Sequence, residues 1–489
     1  MVSHDTVSIS VSLALFSGEL LLKGVMLNQD DTFAVLADKA TQLVGSAITL
    51  LSSDGVLLRR PAKVTTAGLP DKSVLTVVVS SLPRIFAHAF GSAICVLQCD
   101  GSVETCGDPR KGGDCSSVHA HLADNVHQIC ASSAAFAAVK VDGSVVTWGD
   151  PARGGNSDSV QEQLTDVEYL YSTGSAFAAV KHSGAVVTWG ERRCGGNSDS
   201  VQAQLSSVRT IFSTGSAFAA LKHDGFVVPW GHWGWGGVRA AQLERLGGVQ
   251  RIFATDCAFA ALKTDGSVVA WGNRGRGGDP GAVEQNLVEV QEIFSTASAF
   301  AALRRDGSVV TWGSSCSGGS SSAVDALLTG VVHMSATERA FAALKSDGST
   351  VTWGDPLCGG DSSNVQAELR DGVQRLFATS RAFAAIKVGG AVVSWGCPDC
   401  GGALGDTVIP HEIQEVFSTR RAFAALLTDG SVVCWGDASA GGDASEVQDR
   451  LVDVQVVQSN FGAFAAVKID GSIVTWGAGV NQAGDREDA

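Results

Sequence analysis

Cys397 and Cys400 stand in the string CPDC. Two such pairs can close a tetrahedral zinc site, and one pair at a helix start beside a βαβ unit can run thiol–disulfide exchange. The chain has no second CxxC and no βαβ pattern around this one, so the pair reads as loop cysteines and no metal is assigned. A second chemistry is suggested by the residue after a recurring Gly-Gly: Asp114, Asn156, Asn197, Asp279, Asp361 and Asp443. Their oxygens suit calcium, but each loop offers only one or two ligands, and Asp and Asn also form turns unaided. The glycine pairs near 112, 154, 195, 277 and 359 recur too regularly for a phosphate cradle, which needs one glycine loop between a strand and a helix. The ten histidines are scattered, without HExxH, nucleophile elbow or P-loop spacing. No catalytic residue and no cofactor follow, and the expectation is a protein that is not an enzyme.

Other positions suit binding. Arg339, Arg381 and Arg421 each precede an Ala-Phe pair, with Arg420 beside the last, where earlier copies of the same string carry Ala134, Ser175, Ser216 and Cys257. If equivalent positions share a rim, these arginines make a basic ridge able to pair with carboxylate or phosphate. The plainer reading is solvated charge. Trp233 and Trp235, in GHWGWGG at 231–237, are interface anchors if exposed and filling if turned inward. Phe226 and Pro229 suggest an altered outer strand in the same copy, since proline leaves a ladder bond unmade.

What positions these residues is an internal repeat. Trp148, Trp189, Trp230, Trp271, Trp312, Trp353, Trp395, Trp435 and Trp476 follow one another at spacings of 40–42 residues, and DGSVETCG at 100–107 is an earlier copy with Cys106 in the tryptophan position. In one copy, VQEIF at 290–294 reads as a strand and AFAALRR at 299–305 as a second. Asp306-Gly307 turns the chain, SVVTWG at 308–313 returns as a third strand, and a glycine-rich loop and a helical turn or edge segment follow. Phe300 and Ala302 point one way, and Ala299, Ala301 and Leu303 the other. Both faces are apolar, and a three-stranded sheet this small cannot stand alone, so neighbours must cover both. Cys95, Cys106, Cys257 and Cys434 read as small buried residues, and twelve cysteines are too sparse for a disulfide scaffold.

The string AFAALKxDGSVVTWG resembles the repeat of RCC1-like propellers, including the bacterial β-lactamase-inhibitor type with short blades. The resemblance covers about 82–484. The usual histidine of the second strand is replaced by Ala or Phe, and the GQLG signature by GG followed by Asp, Asn or Ser. It implies a mainly β protein: an RCC1-like β-propeller or an open superhelical array of about ten short three-stranded blades over 82–489. It also implies regulatory roles such as nucleotide exchange on a small GTPase or substrate recognition in ubiquitin ligation.

Residues 1–81 differ. Strands are expected over 7–16, 19–27 and 73–79, a helix over 30–45, and a hairpin over 48–58. The order resembles the ubiquitin-like β-grasp fold, a small α+β domain that either docks a partner or caps the array. The 489-residue chain carries a net charge of −15, which weighs against a nucleic-acid partner. No secretory signal pattern and no run of 18 apolar residues occurs, so no membrane partner is expected and the compartment expected is the cytoplasm or nucleus. The function these features suggest is a protein-interaction scaffold. Its expected partner is a protein, with a small GTPase or a ubiquitin-system component as candidates. The alternatives are a self-assembling structural protein and an enzyme with a central site.

Overall fold

The computed structural model describes residues 100–478 except 238–245, 406, 411, 460 and 470–471, together with segments 8–15, 20–28, 48–51, 57–58, 73–79, 84–87 and 93–98. The chain divides into two compact units, Met1–Pro83 and Arg84–Ala489.

Among its described residues the first unit has five strands: β1 (Ser8–Leu15), β2 (Leu20–Asn28), β3 (Ile48–Leu51), β4 (Leu57–Leu58) and β5 (Ser73–Val79). They form one sheet in the order β2-β1-β5-β3-β4. β1 lies antiparallel to β2 and parallel to β5, and β3 is antiparallel to both β4 and β5. The helix expected over 30–45 lies outside the described residues.

The second unit is mainly β and consists of ten three-stranded antiparallel sheets in chain order. The sixth shows how the repeat folds. Its strands are Val290–Ser295, Ala299–Arg304 and Val309–Gly313. At the hairpin, Gly307 takes φ +78°, and Asp306 accepts bonds from the Ser308 amide at 2.9 Å and its hydroxyl at 2.6 Å. Phe300 pairs across the ladder with Trp312, and the rings stack with centroids 5.2 Å apart.

The cores lie between sheets. Phe300 and Ala302 pack with Ala258, Ala260 and Leu262 of the fifth sheet. Ala299, Ala301 and Leu303, from the other face of the same strand, pack with Phe341, Ala343 and Trp353 of the seventh. Small side chains on one sheet thus receive large rings from the next. Every clustered core in the array joins two consecutive sheets, from the first pair to the last. Burying one phenylalanine contributes about 1.5–3 kcal/mol, which a sheet gains only with its neighbour present.

The Gly-Gly pair is part of this packing. Trp312 donates through Nε1 to the Gly277 carbonyl of the preceding repeat at 3.0 Å. Gly277 has φ +98°, and a Cβ there would meet the Phe300 ring at 2.6 Å; one on Gly278 would meet the Gly272 carbonyl carbon at 2.4 Å. The pair is therefore a close approach of backbone to ring and strand. Gly277→Ala is expected to destabilise the protein by about 2 kcal/mol or more, since it combines a left-handed backbone with a clash against a buried ring. Chemical denaturation checks this, and a change under about 0.5 kcal/mol would contradict the packing.

Two expectations need correction. Cys106 is exposed, not buried. The tryptophans at this position are covered by the glycine loop of the preceding repeat, and Cys106 belongs to the first repeat. Cys95 and Cys257 are buried as expected, while Cys434 is partly so. Second, the strand holding Pro229 is not altered: it runs Val227–Gly231 like its equivalents, with Pro229 opposite Ala219. It is an edge strand, where alternate N–H groups point away from the sheet and proline is tolerated.

Candidate binding rim and axial cavity

In the second to ninth repeats the turn between first and second strands begins at a buried hydroxyl residue. In the sixth this is Thr296, whose Oγ1 accepts from the Ser298 and Ala299 amides and donates to the Ser317 carbonyl at 2.9 Å. Thr173, Thr214, Thr255, Thr337, Thr379 and Thr419 repeat the arrangement, each bonding the carbonyl just before the glycine pair of its own repeat. The hydroxyl holds two loops of one repeat together at the same end of the sheet.

Those turns also join one repeat to the next. Backbone amides donate from Ser133 to Gly174, Gly174 to Gly215, Gly215 to Asp256, and Asp256 to Ala297 at 2.9–3.1 Å. The run continues from Ala297 to Glu338, Ser380, Arg420 and Phe461 at 2.8–3.0 Å. Turns of the second to eighth sheets line one cavity of about 980 Å³, whose walls carry Ser, Thr and Gly with Asp256, Glu338, Arg153 and Trp235. Burial pushes the Asp256 carboxyl up, against the pull of Arg276.

The candidate arginines divide into different roles. Arg339, Arg381 and Arg421 are exposed and sit at equivalent turn positions. Arg339 pairs with Asp355 at 3.0 Å, and Arg421 with Asp437. Arg381 lies against the Cys358 thiol of the preceding repeat. Arg420 is not a free neighbour of Arg421: it occupies the axial line of turns and pairs with Glu338, two repeats away, at 2.9 Å. The two tryptophans also part. Trp233 is 65% exposed. Trp235 is half-buried, packs on the core between the fourth and fifth sheets, and lies over Gly215, where a Cβ would meet its ring at 2.8 Å.

Sequence reading missed Arg153 and Arg276. They come from a different loop, immediately before the glycine pair, yet reach the same end. Arg153 bonds the hydroxyls of Ser133 at 3.0 Å and Ser175 at 2.9 Å, so it bridges two repeats. Arg276 donates to the Cys257 sulfur of its own repeat at 3.6 Å. Arg153 thus abuts the residue before the next Ala-Phe, as Cys194 does with Ser216 at 3.6 Å. The signal was available: Arg153 is followed by Ser175 and Arg276 by Ser298, while Arg381 and Arg421 follow Cys358 and Cys400. Each of these couples holds one arginine and one small residue.

The post-glycine Asp and Asn residues are turn formers. Asp114, Asp361 and Asp443 accept from the amide two residues on at 2.8–2.9 Å, and those bonds hold their carboxyls below the ordinary range. Among the described residues no three His, Cys, Asp or Glu side chains group as metal ligands. No described helix is long and apolar enough to cross a membrane.

No family model matches the chain, and no curated protein matches it. Solved structures do. Prp20p of Saccharomyces cerevisiae, described with its binding to Gsp1p and histones, is 16% identical, covers 73% of this chain and 83% of its own, and has a TM-score of 0.35. The CRINKLY WD40 ectodomain of the Arabidopsis thaliana receptor kinase ACR4 is 20% identical over 54% of this chain and 93% of its own, at 0.31. Human WBSCR16 is 13% identical over 76% and 95%, at 0.30. At these scores the neighbours add no argument to what the ten sheets establish: the chain is a mainly β repeat protein of three-stranded antiparallel sheets.

Proposed function

We propose that this protein is a non-enzymatic interaction scaffold that receives an acidic surface of a protein partner on its arginine rim. The observation that carries the reading is the placing of Arg153, Arg276, Arg339, Arg381 and Arg421 at one end of the second, fifth, seventh, eighth and ninth sheets, on a chain of net charge −15. Their positions come from two loops in each repeat, and the sheets between them are fixed by shared cores. Guanidinium groups held this way offer planar donors to carboxylates with little further loss of freedom. Trp233, exposed in the fourth repeat, adds an aromatic anchor.

The N-terminal unit supplies a second docking element in this reading. Its strand order, with the first and last strands parallel and adjacent, supports the β-grasp assignment. A ubiquitin-system component and a small GTPase are the partner classes to test first, in the cytoplasm or nucleus.

The test compares the wild-type chain with a variant carrying Arg339→Glu, Arg381→Glu and Arg421→Glu. Wild type is expected to bind poly-glutamate measurably at low salt, with affinity falling as salt rises, and the variant to bind at least about tenfold more weakly. Proteins captured by wild type should be lost from the variant. Equal binding by both would remove the rim from the interface.

A further inference from the structure

One repeat departs from its neighbours in a way that creates chemistry. In the seventh and ninth, the rim arginine pairs with the residue that follows the Trp-Gly: Arg339 with Asp355 and Arg421 with Asp437. Both acids also hold their own turn, Asp355 accepting from the Leu357 amide at 3.0 Å and Asp437 from the Ser439 amide at 2.8 Å. The eighth repeat puts Cys397 there, and its side chain makes no such bond. Arg381 consequently has no carboxylate partner among the described residues and lies against the Cys358 thiol, while Cys400 lies against Arg421.

The turn sets Cys397 and Cys400 at bonding range. The Cys400 amide donates to the Cys397 carbonyl at 3.0 Å, closing a four-residue turn. The ends of such a turn lie within about 7 Å at Cα, which overlaps the roughly 4.4–6.8 Å that a disulfide spans. The exposure of the thiols differs: Cys397 is partly open, while Cys400 is 2% exposed and Cys358 fully buried. Cys106 and Cys316 are exposed, but neither has a second cysteine three residues away.

We propose that Cys397 and Cys400 are a redox site that closes to a disulfide on meeting a low-molecular-weight disulfide. The Cys397 thiol gives its proton to solvent, and the thiolate attacks one sulfur of the oxidant RSSR. The S–S bond breaks, the first thiolate RS⁻ leaves, and a mixed disulfide remains on Cys397. Cys400, deprotonated in turn, attacks the Cys397 sulfur and expels the second RS⁻. The two leaving thiolates take up two protons. In sum, two protein thiols and one RSSR give one protein disulfide and two RSH, with two electrons passed to the oxidant. The accessible sulfur attacks and the buried one resolves. This inference stands apart from the rim's binding role, since it depends only on the turn and its two thiols.

The experiment treats the folded full-length chain with oxidised glutathione, blocks remaining thiols with an alkylating reagent, and maps tryptic peptides. Residues 388–420 form one tryptic peptide whose only cysteines are Cys397 and Cys400. It is expected to escape alkylation and weigh two hydrogens less than its reduced form, while the peptide holding Cys358 is alkylated or stays unmodified. Dithiothreitol should reverse the change. Cys400→Ser should trap glutathione on Cys397. A 388–420 peptide alkylated at both cysteines, or a bridge from Cys358 to either one, overturns the proposal. The wild-type measurement needs no variant to fold.

Discussion

Replacing Phe300 by alanine is expected to destabilise the array by about 3–5 kcal/mol, the range for removing a fully buried aromatic ring. Three contacts fail together. The ring stacks on Trp312 at 5.2 Å, receives Gly277 of the preceding repeat, and fills the space over Ala258 and Ala260 of the fifth sheet. Collapse cannot close the gap cheaply, because those alanines and that glycine have no side chain to extend. Since each repeat contacts chiefly its neighbours, the loss should be local. Amide exchange should quicken most in the fifth and sixth sheets, and much less in the second and ninth. A loss below about 1 kcal/mol, or protection lost evenly along the array, would mean the inter-sheet cores do not carry the stability.

Excising one whole unit is expected to be far milder than excising half of one. Removing residues 273–313 takes out 41 residues and joins Gly272 to Ser314. The seventh sheet would then face the fifth, and Phe341 would meet Ala258, Ala260 and Leu262 in place of Ala299, Ala301 and Leu303. The side-chain types are unchanged, so the core re-forms. The amide of Asp256 would find the Glu338 carbonyl where it now finds Ala297. Removing residues 273–292 instead deletes the glycine loop and half of a first strand, leaving the Phe300 ring without the loop that covers it. Circular dichroism and tryptophan emission decide between them. The in-phase deletion should keep a native spectrum and a cooperative transition, and the out-of-phase deletion should show red-shifted, wet indoles. Equal damage from both would argue against interchangeable repeats.

The repeat was legible because its physical cause is local. An alternating strand apolar on both faces has to be covered twice, and Asp-Gly turns fix where the chain reverses. The strands of the sixth unit accordingly start or end within a residue of where their residue types put them. Cys106 was misread because its environment depends on a loop from a preceding repeat, which the first unit lacks. Pro229 was misread because the cost of a proline depends on whether its strand is central or at an edge.

The rim shows the limit more sharply. Arg339, Arg381 and Arg421 could be aligned by their common position before Ala-Phe, but alignment says nothing of partners. Only the folded chain sets Asp355 and Asp437 beside two of them and the Cys358 thiol beside the third. Arg420 looked like its neighbour Arg421 and is instead tied to Glu338 across two repeats. Arg153 lies twenty-odd residues from the next repeat's rim position, Ser175, a distance that only the packing of one loop on the following turn removes. By itself, the sequence determined the unit, its count, its strands and the burial of both faces, since these follow from residues within one turn or one ladder of each other. The tertiary structure alone decided which charges meet, which thiol lies against which arginine, and that the turns of seven sheets line one cavity. Those depend on distances between repeats, and such distances are set by how alanines and rings interlock from sheet to sheet.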